Sequence, residues 1–171
     1  MGQLTFTTEE VEHMIARCMT PFRQDVVGDN SISISANTET RYAVDGDARN
    51  EAQAPPYMTD RWDTSNNIMT AVTEHDGPVY VADVSFTWTP SASSEGIARI
   101  RVYVNDTTPK LIKTYPVHYK GAAAEPMSVL TAWYWGDEAG YDAKNDGIYF
   151  TVEFEHAGTI TAPSLLIYNT Q

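Results

Sequence analysis

The sequence has one cysteine, Cys18, in 171 residues. No intrachain disulfide can form, which excludes the small stapled scaffolds of the extracellular space. Basic residues are scarce, 11 against 23 acidic, for a net charge of −12. Nucleic acid and anionic lipid both require a basic footprint, so neither is expected as a partner. No apolar run approaches the length of roughly 20 residues at which a helix spans a bilayer. Glu9, Glu10 and Glu12 stand where a signal peptide would need its apolar core, so synthesis and folding in a cytoplasm are expected. Catalytic signatures are missing too. There is no G-x-S-x-G elbow, and His13, His75, His118 and His156 show neither a paired metal spacing nor the H-x-H of a metal-binding strand. Each histidine reads as a surface or turn residue, and Cys18 as packing. The expectation is a chain that is not an enzyme.

What is present is alternation. Over residues 77–88, Tyr80, Ala82, Val84, Phe86 and Trp88 take one parity, and Val79, Val81, Asp83, Ser85 and Thr87 the other. A period of two places these sets on opposite faces of a strand, so the stretch predicts a central strand whose aromatic face lines a core. Shorter runs of the same kind lie at 32–36, 38–44, 57–62, 68–72, 98–104, 110–119, 127–135, 148–155 and 165–168. Turn residues separate them, such as Asp45-Gly46 and the 105–109 stretch ending in Pro109. Many short strands without helical crossovers predict a mainly β fold, an antiparallel β-sandwich or barrel; two-sheet closure with eight strands is the jelly roll.

One helix is expected, at residues 7–20. Thr7 and Glu10 have capping-box spacing. Val11, Met14, Ile15, Cys18 and Met19 recur at three- and four-residue steps as one apolar stripe, and Pro21 ends it. About three turns of helix are marginal in water alone, so the stripe must dock. It packs on its own sandwich or on copies of itself or a partner, and the polar connector that follows favours the second. The organisation predicted is an N-terminal arm over 1–22 for docking or trimerisation, a linker over 23–31 and a sandwich over 32–171.

The acidic loop at 136–147 is the one stretch with metal-site chemistry. Asp142, Asp146 and Glu153 fall at positions 1, 5 and 12 of a calcium-loop pattern, with Gly147 at position 6. Lys144 at position 3 cannot ligate, and a strand pattern follows where an exiting helix should, so an EF-hand is rejected. A looser calcium site on Asp137, Glu138, Asp142 or Asp146 stays open, with Asp45 and Asp47 as a poorer candidate. No other cofactor is expected. Trp62, Trp88, Trp133 and Trp135 could serve as a sugar-stacking platform or as core, and the apolar parity of the last three favours core.

A short capped helix, a linker and a sandwich bearing Gly77, Tyr80, Ala82 and Trp88 at these spacings resembles the trimeric jelly-roll domains of the tumour-necrosis-factor and complement-head type. The strand near 147–155 and the SLLIY run at 164–168 are similar to the last two strands of that fold. LTFTTEEVEHMI at 4–15 is similar to the N-terminal helices of bacteriophage capsid decoration and head-fibre proteins. The chain departs from the animal family in having no signal peptide and no disulfide framework. The resemblance implies a homotrimer on a virion surface, with a major capsid protein or other virion protein as partner, and possible contact with cell-surface glycan. Tyr103, Tyr134, Tyr149 and Tyr168, on the less apolar parities of their strands, are the trimer-interface candidates. The alternative is that they are ordinary half-exposed strand residues.

Overall fold

A computed structural model describes residues 23–45, 48–50, 62–69, 79–121, 123–134, 137–138, 141–142 and 146–170. The expected helix at 7–20 lies outside these residues, as does the whole arm over 1–22.

The strands are β1 (Arg23–Val27), β2 (Ser31–Ile34), β3 (Thr40–Arg41), β4 (Ala48–Asn50), β5 (Trp62–Asp63), β6 (Ile68–Met69), β7 (Val79–Pro90), β8 (Gly96–Val104), β9 (Lys110–Tyr119), β10 (Glu125–Tyr134), β11 (Asp137–Glu138), β12 (Tyr141–Asp142), β13 (Ile148–Phe154) and β14 (Gly158–Thr170). Sheet A runs β10-β7-β14-β1-β4, with β2 also paired to β14. Sheet B runs β5-β6-β13-β8-β9, with β3 also paired to β13. Strands β11 and β12 form a small ladder of their own.

The connectivity is that of a jelly roll. The chain leaves sheet A after β7, makes the β8–β9 hairpin in sheet B, and returns as β10 to pair with β7. It then crosses again, so that β13 lies beside β8 and β14 beside β7. The return from β9 to β10 passes Gly121 at φ +67°, where a Cβ would come within 1.7 Å of the Ser94 carbonyl oxygen. Only glycine fits there.

The expected central strand is β7, interior to sheet A. Ala82, Val84, Phe86 and Trp88 are buried, as their parity requires. They meet the inward residues of β13, Ile148, Phe150, Val152 and Phe154. Trp88 stacks on Phe154 at 3.8 Å between centroids and 15° between planes, and Phe86 meets the same ring edge-on. Such paired rings contribute beyond their buried area.

Three expectations are corrected. Residues 23–27, read as part of a linker, form β1, which pairs along its whole length with the C-terminal β14 and buries Val26. The stretch after the Asp45-Gly46 turn, where no strand is expected before residue 57, contains β4, which adds an edge to β1. The last strand, expected at 165–168, extends over Gly158–Thr170 and is broken by a bulge between Thr161 and Ser164. Ala162 in that bulge sits at φ +48°, a conformation that strains a residue with a Cβ.

The bulge opens the β7–β14 ladder, and Tyr42 closes it from the other sheet. This side chain, fully buried, follows β3 and spans the core. Its hydroxyl accepts from Ser164 N at 2.9 Å and donates to Ser85 O at 2.7 Å, with Ser164 O at 3.1 Å as a second acceptor. A phenol thus replaces ladder hydrogen bonds that the bulge removes. Burial, first, drives its pKa well above the ordinary tyrosine value, with Asp83 adding to the rise. At physiological pH Tyr42 is a neutral pin.

Candidate functional site

The strands that bury one parity in the core display the other on two outer faces, and these faces are chemically unlike. On sheet B the outward residues of β13 and β8 are Tyr149, Thr151 and Glu153 opposite Tyr103, Arg101 and Arg99, with Glu155 just past β13 bonded through its N–H to Ile97 O. Charges of opposite sign stand across the ladder and satisfy one another. Arg99 bridges Glu153 at 3.1 Å and Glu155 at 3.5 Å. Arg101 Nη2 lies 2.9 Å from Glu153. Its Nη1 is 3.2 Å from Glu39, within ion-pair distance though not aimed as a hydrogen bond. Thr151 donates its hydroxyl to Glu39 at 2.6 Å, so the segment leading into β3 is strapped over β13.

Two of the interface candidates lie on this face. Tyr103 and Tyr149 stack at 5.2 Å and 10°. Tyr149 is 8% exposed, because the Arg41 guanidinium sits 3.5 Å above its ring. Arg41 in turn donates to the carbonyls of Asn66 and Asn67. Desolvation, with the hydrogen bond to Glu39 next, pushes the Tyr103 phenol up to about 12. Sheet B is therefore roofed by its own side chains.

The outer face of sheet A is different. In register across β10, β7, β14 and β1 stand Leu130, Asp83, Leu166 and Asp25, and one row on Ser128, Ser85, Ser164 and Val27. The row on the other side of Asp83 includes Ala132 and Val81. Leu130 is 59% exposed and Val27 48%; Ala132 is exposed, and Val81 and Leu166 are half-buried. At the centre of this face no ion pair forms among the described residues. Its one central charge, Asp83, takes two hydroxyl hydrogen bonds on the same oxygen, from Ser85 at 2.8 Å and Ser128 at 2.5 Å. Among the described residues, Asp83 Oδ2 takes none. A shallow open groove of about 390 Å³ continues the face past the serine row, between Pro126 and Ala162. Leu130, Val81, Ala132 and Leu166 lie close together on this face, each apolar and at least partly exposed.

Tyr134 and Tyr168 belong to this sheet, opposite Val79 and Val81 respectively in the ladders with β7. The four tyrosines are thus divided between the two sheets rather than gathered in one place. Val11, Met14, Ile15, Cys18 and Met19 lie outside the described residues. Trp62 and Trp88 are in the core, unavailable as a sugar platform. Trp133 lies on β10, and Trp135 falls outside the described residues. In the acidic loop, Asp137 pairs with Asp142 and Glu138 with Tyr141 in the β11–β12 ladder. Among the described residues no three acidic, histidine or cysteine side chains are grouped to hold a metal ion.

Leu130, Val81, Leu166 and Asp83 were not picked out from the sequence. The available signal was apolar residues on the second parity of strands whose first parity was already apolar enough to be core.

No protein-family model matches the chain, and no curated protein sequence does. Among solved structures, the Eiger TNF from S. frugiperda is similar at TM-score 0.48 and 9% identity, over 88% of this chain and 93% of that one. A Bacillus endospore appendage, of a family of disulfide-linked pili, is similar at TM-score 0.35 and 12% identity, over 89% of this chain and 90% of that one. Neither likeness bears on function.

Proposed function

We propose that this jelly roll is a structural, non-catalytic virion protein that decorates or cements a bacteriophage capsid as a homotrimer, held to the particle by its N-terminal arm. The observation that carries the self-association is the open apolar face of sheet A, with Leu130 59% exposed beside Val81, Ala132 and Leu166. A chain of net charge −12 repels its own copies at long range, so association needs apolar contact of this kind at short range. The placement on a phage particle rests on the resemblance of residues 4–15 and of the helix-then-sandwich layout.

Light scattering on the purified chain tests the first part. A native mass three times the chain mass is expected, and a stable monomer at tens of micromolar overturns it. Binding to particles lacking the protein tests the second. A chain without residues 1–22 should keep the melting behaviour of its sandwich and lose the particle. Retention on the particle would remove the docking role of the arm.

A further inference from the structure

We infer that Asp83 is the polar anchor of the self-association face and that its partner is Lys113 of a second copy; the inference rests on the self-association proposed above. Asp83 stands between Leu130 and Leu166 in the ladder. Covering those two leucines strips water from the carboxylate between them. Ser85 and Ser128 already share Oδ1, so they leave the second oxygen to be met from outside the chain. A carboxylate buried without a partner is strongly unfavourable, whereas one met by a fitted cation fixes register and excludes wrong partners.

The chain carries a matching surface elsewhere. Strand β9 is the end strand of sheet B, tied to β10 through Tyr115, whose hydroxyl accepts from Ala132 N at 3.0 Å and donates to Ala132 O at 3.2 Å. Its ladder with β8 is irregular where Val102 faces Lys113 and Tyr103 faces Leu111, leaving Ile112 as an extra residue. A bulge re-aims the side chains beside it, and here both neighbours point into water. Leu111 is 51% exposed, and Lys113 is exposed, its Nζ 5.3 Å from the Tyr115 ring centroid. Lys110, on the same strand, is held by Asp106 at 3.2 Å; Lys113 enters no ion pair among the described residues. A leucine with a lysine on the edge thus complements a leucine with an aspartate on the face. Because donor and acceptor patches are different surfaces, the contact is heterologous, which gives a ring where the rotation between copies closes and an open filament where it does not.

A charge swap tests this, read by light scattering and sedimentation on the full chain. Asp83→Lys alone and Lys113→Asp alone should each weaken assembly at least about tenfold. The double variant Asp83→Lys with Lys113→Asp should restore most of the loss, and the salt sensitivity of assembly should fall when both residues are replaced by alanine. Circular dichroism melts confirm that each variant folds; Asp83→Asn serves if Asp83→Lys does not. A wild-type monomer would sink the self-association reading itself. A wild-type assembly that Leu130→Glu disrupts, but that Asp83→Lys leaves intact or the double swap does not rescue, would overturn the Asp83–Lys113 pairing alone.

Discussion

Sheet B and sheet A present outer faces made by the same device, a strand whose second parity points away from the core. On sheet B that parity is arginine, glutamate and tyrosine, and the side chains consume one another: Glu155, Arg99, Glu153, Arg101 and Glu39 form one chain of ion pairs, and Arg41 covers Tyr149. On sheet A it is leucine, valine, alanine and serine around the Asp83 carboxylate, with Asp25 on the β1 side, and the apolar groups stay at least partly exposed. The difference separates two tasks. A face whose charges are paired within the chain contributes to the fold of one copy. A face whose apolar groups stay wet gains most when a second surface removes the water, at about 25 cal/mol per Å² of apolar area.

The sharpest way to break this contrast is one charge on the open face. Leu130→Glu places a carboxylate beside Asp83 on the open face. Assembly should be lost entirely at micromolar concentration, while the stability of the separated chain stays within about 0.5 kcal/mol, as for other exposed substitutions. A drop in chain stability with the assembly intact would reverse the roles assigned to the two sheets.

Tyr42→Phe acts on a side chain that ties the strap on sheet B to the bulge in sheet A. It leaves Ser164 N without a partner inside the sandwich and Ser85 O with only the Ser164 hydroxyl at 3.3 Å, at about 2 kcal/mol, or a Tm lower by roughly 4–8 °C for a domain of this size. An unchanged melt would mean that water or a rearranged bulge takes the place of the phenol. Arg101→Met, smaller again, removes the centre of the sheet B ladder and leaves Glu39 and Glu153 facing each other. Its side chain is 15% exposed, between the surface and buried cases, so a loss of about 1–2 kcal/mol is expected. Oligomer mass should not move, which denaturant titration together with light scattering would show.

The strands with one apolar and one polar parity were legible, because the inner parity of β7 and β13 is strongly apolar and a period of two assigns faces locally. Strand β1 was not: RQDVV reads as a connector, and what makes it a strand is pairing with β14 at the far end of the chain. Tyr42 was placed in an extended run, but its role depends on a bulge in a strand that comes much later in sequence. The open face was hidden for a related reason. Alternation shows that Asp83 and Leu130 point away from the core, yet only the cross-strand register sets them side by side. The same register divides the tyrosines, which share a parity in their own strands and not a surface.

The smallest effect expected is confined to alkaline pH and belongs to the roofed face. Burial and the hydrogen bond to Glu39 raise Tyr103 from 10.0 to about 12. The native state therefore binds the phenolic proton more tightly than the unfolded chain does. By linkage, the stability associated with that proton is fully present below the unfolded value and is lost as pH climbs through the folded one. Wild type and Tyr103→Phe should differ by a constant amount below pH 10.0, and the gap should shift against wild type between pH 10.0 and about 12. Tyr42, Tyr119 and Tyr149 are also raised by burial, so the difference between the two proteins, rather than either curve alone, carries the test. Parallel curves through that window would mean that Tyr103 is freely solvated and that sheet B is less completely roofed than its ion pairs indicate. Its face would then be as open to a partner as that of sheet A, and the tyrosine pair would return as an interface.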